Sequence, residues 1–396
     1  MNGAGAPGSA GSSTAQAGHA GSDAAGAPGA GGTGTGGVGA GGAGGSGVAG
    51  VPATAGQFGI GGSGAGGASA AAAGRAGDGS SGTAPVDTGG QGGSDGDVTA
   101  GTPTETGLAS LPVPRQEHGV VALNGEVFVL GGYTPDVTPS VIAYDPAHDS
   151  WRDVADFPSP FNHPAAGVVG GKLYVMGYYA GTSLTGPATG RTFVYDPGAD
   201  GWTEKSALPT GTERAGGCVA ALGTKLYVFG GGNSGDATNF ASVYDTAADT
   251  WAALPALPET REHCAAFASG NKLYVCGGRT HDIPEFRPTT LEFDPVAQTY
   301  TTKTPIPTPR GGAAGAVLGG RLFLFGGEGA DNDLGVFDDI EAYDAGTDSW
   351  QKFPPMLVPR HGFGAATLGD RIYLPGGAIH QGGAASDTNT VFYFTP

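Results

Sequence analysis

The first hundred residues contain no Leu, Tyr, Trp, Lys, Glu or Cys, and the first leucine of the chain is Leu108. A segment without large apolar side chains cannot offset the entropy of its own ordering. Residues 1–103, with 36 glycines among the first 100, are therefore expected to be a disordered Gly/Ala/Ser-rich tail. Folding falls to 104–396, enough for one large all-β domain. Positive charge is also scarce, with Lys+Arg 18 against Asp+Glu 36 and a net charge of −18. The tail holds five aspartates and Arg75, a net of −4, which leaves −14 on residues 101–396. Such a surface repels phosphate backbones, so nucleic acid is not expected as a partner. There is no run of 18 apolar residues and so no candidate for a membrane-spanning helix. The three cysteines, Cys218, Cys264 and Cys276, lack any Cys-x-x-Cys spacing, which argues against a zinc cage or haem attachment.

What is present is a period. Six 17-residue segments align without gaps: Arg115–Gly131, Phe161–Gly177, Arg214–Gly230, Arg261–Gly277, Arg310–Gly326 and Arg360–Gly376. Their closing glycines are 46, 53, 47, 49 and 50 residues apart, and in five of the six a second glycine follows. Each segment reads as a small-residue strand, a two-residue turn such as Asn124-Gly125, and an aromatic, β-branched strand such as Lys225–Phe229. The glycine doublet is expected where a side chain would crowd a neighbouring backbone. Downstream, Tyr144-Asp145 precedes Asp149-Ser150-Trp151, and the pattern recurs at Trp202, Trp251 and Trp350, with Tyr300 as the relaxed copy. It reads as a second hairpin whose aspartates cap the turn. The spacing lacks the oxygen ladder and distal Glu of a calcium loop.

Four short antiparallel strands per repeat describe a propeller blade. The Gly-Gly doublet, the Tyr-Asp and the Trp about 20 residues later resemble the kelch repeat over residues 104–396. The resemblance implies an all-β, six-bladed propeller of four-stranded antiparallel blades, with Trp151, Trp202, Trp251, Tyr300 and Trp350 in the blade cores. Repeats fall at about 115–158, 161–209, 214–258, 261–307, 310–357 and 360–396. The last has only three strands, and Glu105–Arg115 aligns with Trp350–Arg360. Residues 104–112 are therefore expected to supply the missing outer strand and close the ring, since an unpaired edge would otherwise remain. Within the Gly270-Asn271 hairpin, Cys276 opposes Ala265 and Cys264 opposes Gly277, so those two thiols point to opposite sides of the sheet. Buried free thiols are the expectation for all three cysteines.

Six loops joining the second and third strands, near 132–139, 178–190, 232–241, 279–289, 328–339 and 378–388, gather at one end of such a ring, where binding residues concentrate. The same end would carry Arg115, Arg214, Arg261, Arg310 and Arg360, with Glu117, His118, His163, Glu262, His263 and His361 beside them. The arginines read either as braces bonded to carbonyls and acidic groups of adjacent blades, holding the ring together, or as a focus for anionic ligands. The expected role is a non-catalytic binding module for a protein or glycan, acting as a monomer and without a cofactor. The alternative is a sugar-directed enzyme resembling the six-bladed sialic-acid mutarotases, for which Glu117, Glu262 or His263 beside Arg261 would supply acid–base chemistry. No constellation resembles the ligand set of the copper-radical oxidases. His281 and His380 could join His263 or His361 on a metal, but without a fixed short spacing no metal site is assigned. The tail resembles the spacers of bacterial envelope proteins. No basic or apolar leader follows Met1; the expectation is a native start upstream and an extracytoplasmic, secreted or envelope-anchored protein.

Overall fold

The computed structural model describes residues 99–280 and 285–396; most of the tail, and His281, lie outside them. All regular elements among the described residues are strands, and six four-stranded antiparallel sheets repeat in chain order. The architecture is a six-bladed β-propeller. Blade 1 shows the pattern: Gly119–Leu123 is innermost, followed by Glu126–Leu130, Val141–Asp145 and, outermost, Ser150–Val154. The turn between its first two strands is Asn124-Gly125, with φ of 52° and 85°, the twist that keeps a two-residue hairpin in register. In blade 6, Ala366–Leu368, Arg371–Pro375 and Asn389–Thr395 come from the C-terminus and Thr102–Gly107 is the outer strand. Its register pairs Glu105 with Phe392, the same relation that Trp350 has to Tyr343 in blade 5. The strand spans 102–107 rather than 104–112, in the register that aligning Glu105 with Trp350 gives.

Inner strands are built from small residues because six of them converge on one axis. A Cβ on Gly315 would lie 2.9 Å from that of Ala265, and one on Gly364 2.7 Å from that of Val120. They surround a narrow channel of about 160 Å³ lined by Val120, Ala166, Val219 and Ala266 among others. Apolar side chains of the second and third strands fill the spaces between blades, as where Phe128 of blade 1 meets Tyr195 of blade 2 at 5.9 Å.

The glycine doublet is the seam between blades. Its first glycine has positive φ, and a Cβ there would come within 2.2–3.2 Å of the carbonyl oxygen that opens the next repeat: Phe161, Arg214, Arg261, Arg310, Arg360 and, closing the circle, Arg115. In the five true doublets the second glycine donates its N–H to that carbonyl at 2.8–3.0 Å. A second seam runs outside. The indoles of Trp151, Trp202, Trp251 and Trp350 donate to Ala109, Ala155, Ser206 and Thr304 carbonyls of the preceding blade at 2.9–3.0 Å, and the Tyr300 hydroxyl donates to Pro255. These five aromatics are half-buried ties at blade borders, stacked on the Tyr or Phe of their own hairpin, rather than interior core.

Two sequence readings need correction here. The first aspartate of each turn caps it, as Asp145 Oδ1 does for Ala147 N–H, but the second does not. Asp149, Asp200, Asp249 and Asp348 sit at positive φ, take the hydroxyl of their hairpin tyrosine, and accept an N–H from the preceding blade. The cysteines differ more. Cys218 and Cys264 form a disulfide, with Cα atoms 5.4 Å apart, and only Cys276 is a buried free thiol. The hairpin register correctly separates Cys264 from Cys276. The bond instead crosses from the inner strand of blade 3 to the chain entering blade 4, a partner that a within-hairpin argument does not test.

Candidate functional site

The loop end of the channel is organised by the residue two positions after the one that opens each repeat, an arginine in five and Phe161 in the second. Blade by blade this residue is Glu117, His163, Gly216, His263, Gly312 and Gly362, all at φ between 51° and 62°. Their backbones form a closed circle of hydrogen bonds. His163 N–H donates to Glu117 C=O, Gly216 to His163, His263 to Gly216, Gly312 to His263, Gly362 to Gly312 and Glu117 to Gly362, at 2.6–3.1 Å. The left-handed conformation is what aims each N–H at the blade before it and each C=O at the blade after. Glycine adopts it freely; any other residue there carries a penalty of about 1–2 kcal/mol. Three blades keep glycine. The other three hold Glu117, His163 and His263, and these side chains converge.

Glu117 Oε2 lies 3.1 Å from His163 Nε2 and 3.4 Å from His263 Nε2, and the two imidazoles meet edge to face at 4.9 Å. His163 Nδ1 bonds Asn162 Oδ1 at 2.5 Å, while His263 Nδ1 lies 3.5 Å from Glu262 Oε1. Around this cluster stands a wall made by the next column. Glu262 bridges to Arg279 across the strand entrance, and Arg279 reaches Glu262 at 3.3 Å and Glu328 of blade 5 at 2.6 Å. His361 is 3.8 Å from Glu328. These groups floor a cup of about 610 Å³ rimmed by Leu184 and Ser234. A smaller cavity of about 100 Å³ lies on the channel side of the cluster.

Burial and mutual contact set the charges. Burial pushes the Glu117 carboxyl up, but His163, His263 and His361 outweigh it and hold the group well below its usual value. Burial lowers His163 to about 4 even with Glu117 beside it, so that imidazole is neutral at pH 7. Burial and Arg279 press His263 down too, yet Glu262 and Glu117 on either side raise it to about 10. Glu262 is buried but is drawn to about 2 by His263, Arg279 and His163.

The structure sorts the residues expected at the mouth into two groups. Glu117, His163, Glu262, His263 and His361 line the cup. The five arginines do not: their side chains turn away and are 0–3% exposed. Arg115, Arg214, Arg261 and Arg360 donate to carbonyls of their own blade, and Arg310 pairs with the buried Glu341 at 2.7 Å. They brace single blades from within rather than tying adjacent blades together as expected, and the backbone carbonyls of all but Arg214 take the doublet N–H of the blade before. His118 is buried at the blade 6–blade 1 seam, its Nε2 3.0 Å from Pro375 O, and burial with Arg115 nearby lowers it to about 3. Sequence reasoning missed Tyr179, Arg279 and Glu328, each the residue two places after the first glycine of the repeat's Gly-Gly or Gly-Tyr pair. The signal was available, since that column otherwise holds Tyr133, Gly232 and Ala378.

Comparison with known proteins agrees with the repeat. A model described as the KLHDC2/KLHL20/DRC7 Kelch-repeats domain matches residues 205–377, and Kelch motif models match 114–158 and 160–209. This chain is a kelch-repeat propeller. It is 33% identical over 265 residues to Kelch-like protein terF of Aspergillus terreus, covering 63% of this chain and 58% of that one. To human Kelch-like protein 34 it is 30% identical over 262 residues, covering 63% of this chain and 32% of that one. The chain thus spans between about a third and three fifths of the length of these two curated relatives. Among solved structures, "Structure of YjhT" superposes with a TM-score of 0.61 at 19% identity, covering 71% of this chain and 95% of that chain, a likeness of fold.

Proposed function

We propose that this kelch propeller is a non-catalytic binding module for a protein partner, which inserts a hydrogen-bonding side chain into the cup at the loop end. The observation that carries the reading is the cup floor. Ionisable groups from blades 1, 2, 4, 5 and 6 are gathered there, three of them at left-handed positions that the other blades fill with glycine. The kelch-like relatives support a protein rather than a small molecule as the partner. With the five arginines turned inward, the anion-focusing version of this idea retains only Arg279, already shared by two carboxylates. The partner is proposed to be met outside the cytoplasm, which the Cys218–Cys264 disulfide supports, because such bonds persist in oxidising compartments.

A photo-cross-linking residue placed at Leu184 on the cup rim should capture a discrete partner, and the same probe at Thr224 on the opposite face should not. Loss of the Leu184 adduct in a Glu262→Gln chain would tie capture to the floor; equal capture from both faces would refute the reading. A second reading, a sugar-directed enzyme, is favoured by the pairing of Glu262 and His263 beside Arg279, a carboxylate–imidazole pair suited to proton transfer. Accelerated anomer exchange of sialic acids by NMR, abolished by Glu262→Gln, would install that reading in place of the first.

A further inference from the structure

We infer that Glu117, His163 and His263 form a binding site for a divalent first-row transition ion, with zinc the natural probe. The three residues offer one oxygen and two imidazole nitrogens, and their ligand atoms lie within 4.8 Å of one another. Donors about 2.0–2.1 Å from a zinc ion are themselves about 2.9–3.4 Å apart, depending on the angle between them. The Glu117–His163 and Glu117–His263 separations of 3.1 and 3.4 Å already fall in that range. Only the two imidazoles have to close on each other.

Three further observations point to an ion rather than to a structural cluster. The side chain of His263 is 8% exposed, yet neither of its ring nitrogens has a hydrogen bond of good geometry. Such a group is costly to bury without well-placed partners, and a metal ion at Nε2 would take the place of that nitrogen's proton. The outer contacts are those that metal-bound histidines make. His163 directs Nδ1 to Asn162 Oδ1 and His263 directs Nδ1 toward Glu262, which leaves both Nε2 atoms facing Glu117. Finally, all three ligands occupy left-handed positions that the other three blades fill with glycine. A facial set of two imidazoles and one carboxylate leaves positions open, and here they face the cup on one side and the small cavity on the other. Cys264, next in sequence to His263, is committed to its disulfide and supplies no thiolate.

The inference goes beyond partner binding, and the two are separable: metal titration uses the isolated full chain, and cross-linking can be repeated with a chelator present. Tag-free, metal-stripped protein should take up one zinc ion per chain by calorimetry and elemental analysis. His163→Gly and His263→Gly, which install the residue that blades 3, 5 and 6 carry, should each weaken uptake at least about a hundredfold, and Asn162→Ala about tenfold. X-ray absorption of the zinc-loaded wild type needs no variant to fold, and should show two imidazoles, oxygen donors and no sulfur. Failure to retain zinc through gel filtration, a coordination shell without imidazole, or unchanged affinity in folded glycine variants would overturn the assignment.

Discussion

Cleaving the Cys218–Cys264 bond should lower the melting temperature by an amount the fold allows to be worked out. The bond closes a loop of 46 residues, almost one full repeat. In the chain-entropy view, freeing a loop of that length relaxes the unfolded ensemble by about 4 kcal/mol. A domain of nearly 300 residues gains about 0.6 kcal/mol per degree of entropy on melting. The two together give a fall of about 6–7 °C for the Cys218→Ala/Cys264→Ala double variant, measured by scanning calorimetry at neutral pH. Thiol titration in denaturant supplies the chemical check, with one reactive group, Cys276, before reduction and three after. Three reactive thiols in protein recovered from an oxidising compartment would refute the pairing. One thiol together with an unchanged melting temperature would refute the energetic argument and leave the blade 3–blade 4 seam to packing and backbone bonds alone.

Other consequences are as direct. Gly326→Ala should cost more than about 2 kcal/mol in denaturant melts, because its Cβ would sit 2.2 Å from Arg360 O at φ +59°. Gly170→Ala, at φ +60° but with open space around it, should cost only about 1 kcal/mol, and equal losses would remove the steric account of the doublet. Against a chain begun at Thr99, one begun at Pro114 lacks the outer strand of blade 6 and should melt markedly lower or fail to fold; equal melting would mean the ring does not need that strand. Replacing Glu117, His163 and His263 together by glycine should abolish zinc uptake while leaving stability unchanged or raised by up to about 3 kcal/mol, since backbone strain is relieved at three positions. A clear loss of stability would show that the cluster holds the ring together.

The period made most of the architecture legible: blade number, hairpin turns, the closing strand and its register all follow from gapless alignment of six copies. The site was only half legible. Alignment brings Glu117, His163 and His263 into one column with three glycines, a sign of positive φ, and places all three at the mouth, but it gives no reason to rank them above the more regular arginines beside them. Five copies of one residue type mark a similar job done in five of the six blades, here bonding within the blade to carbonyls and, for Arg310, to Glu341. The column that varies between glycine and chemistry-bearing residues is the one that faces the axis. The disulfide was hidden for a related reason. Cys218 and Cys264 fall in adjacent columns of adjacent repeats, and only the lateral packing of neighbouring inner strands, not any within-hairpin register, brings them together.

The circle of six backbone bonds has one more implication. Because its six bonds run between main-chain atoms, the circle closes with glycine at three stations and with ionisable side chains at the other three. Chemistry at the mouth can then be dialled from blade to blade, for instance by moving an imidazole from 163 to 216, without altering a single strand. The propeller is in effect a socket with interchangeable pins.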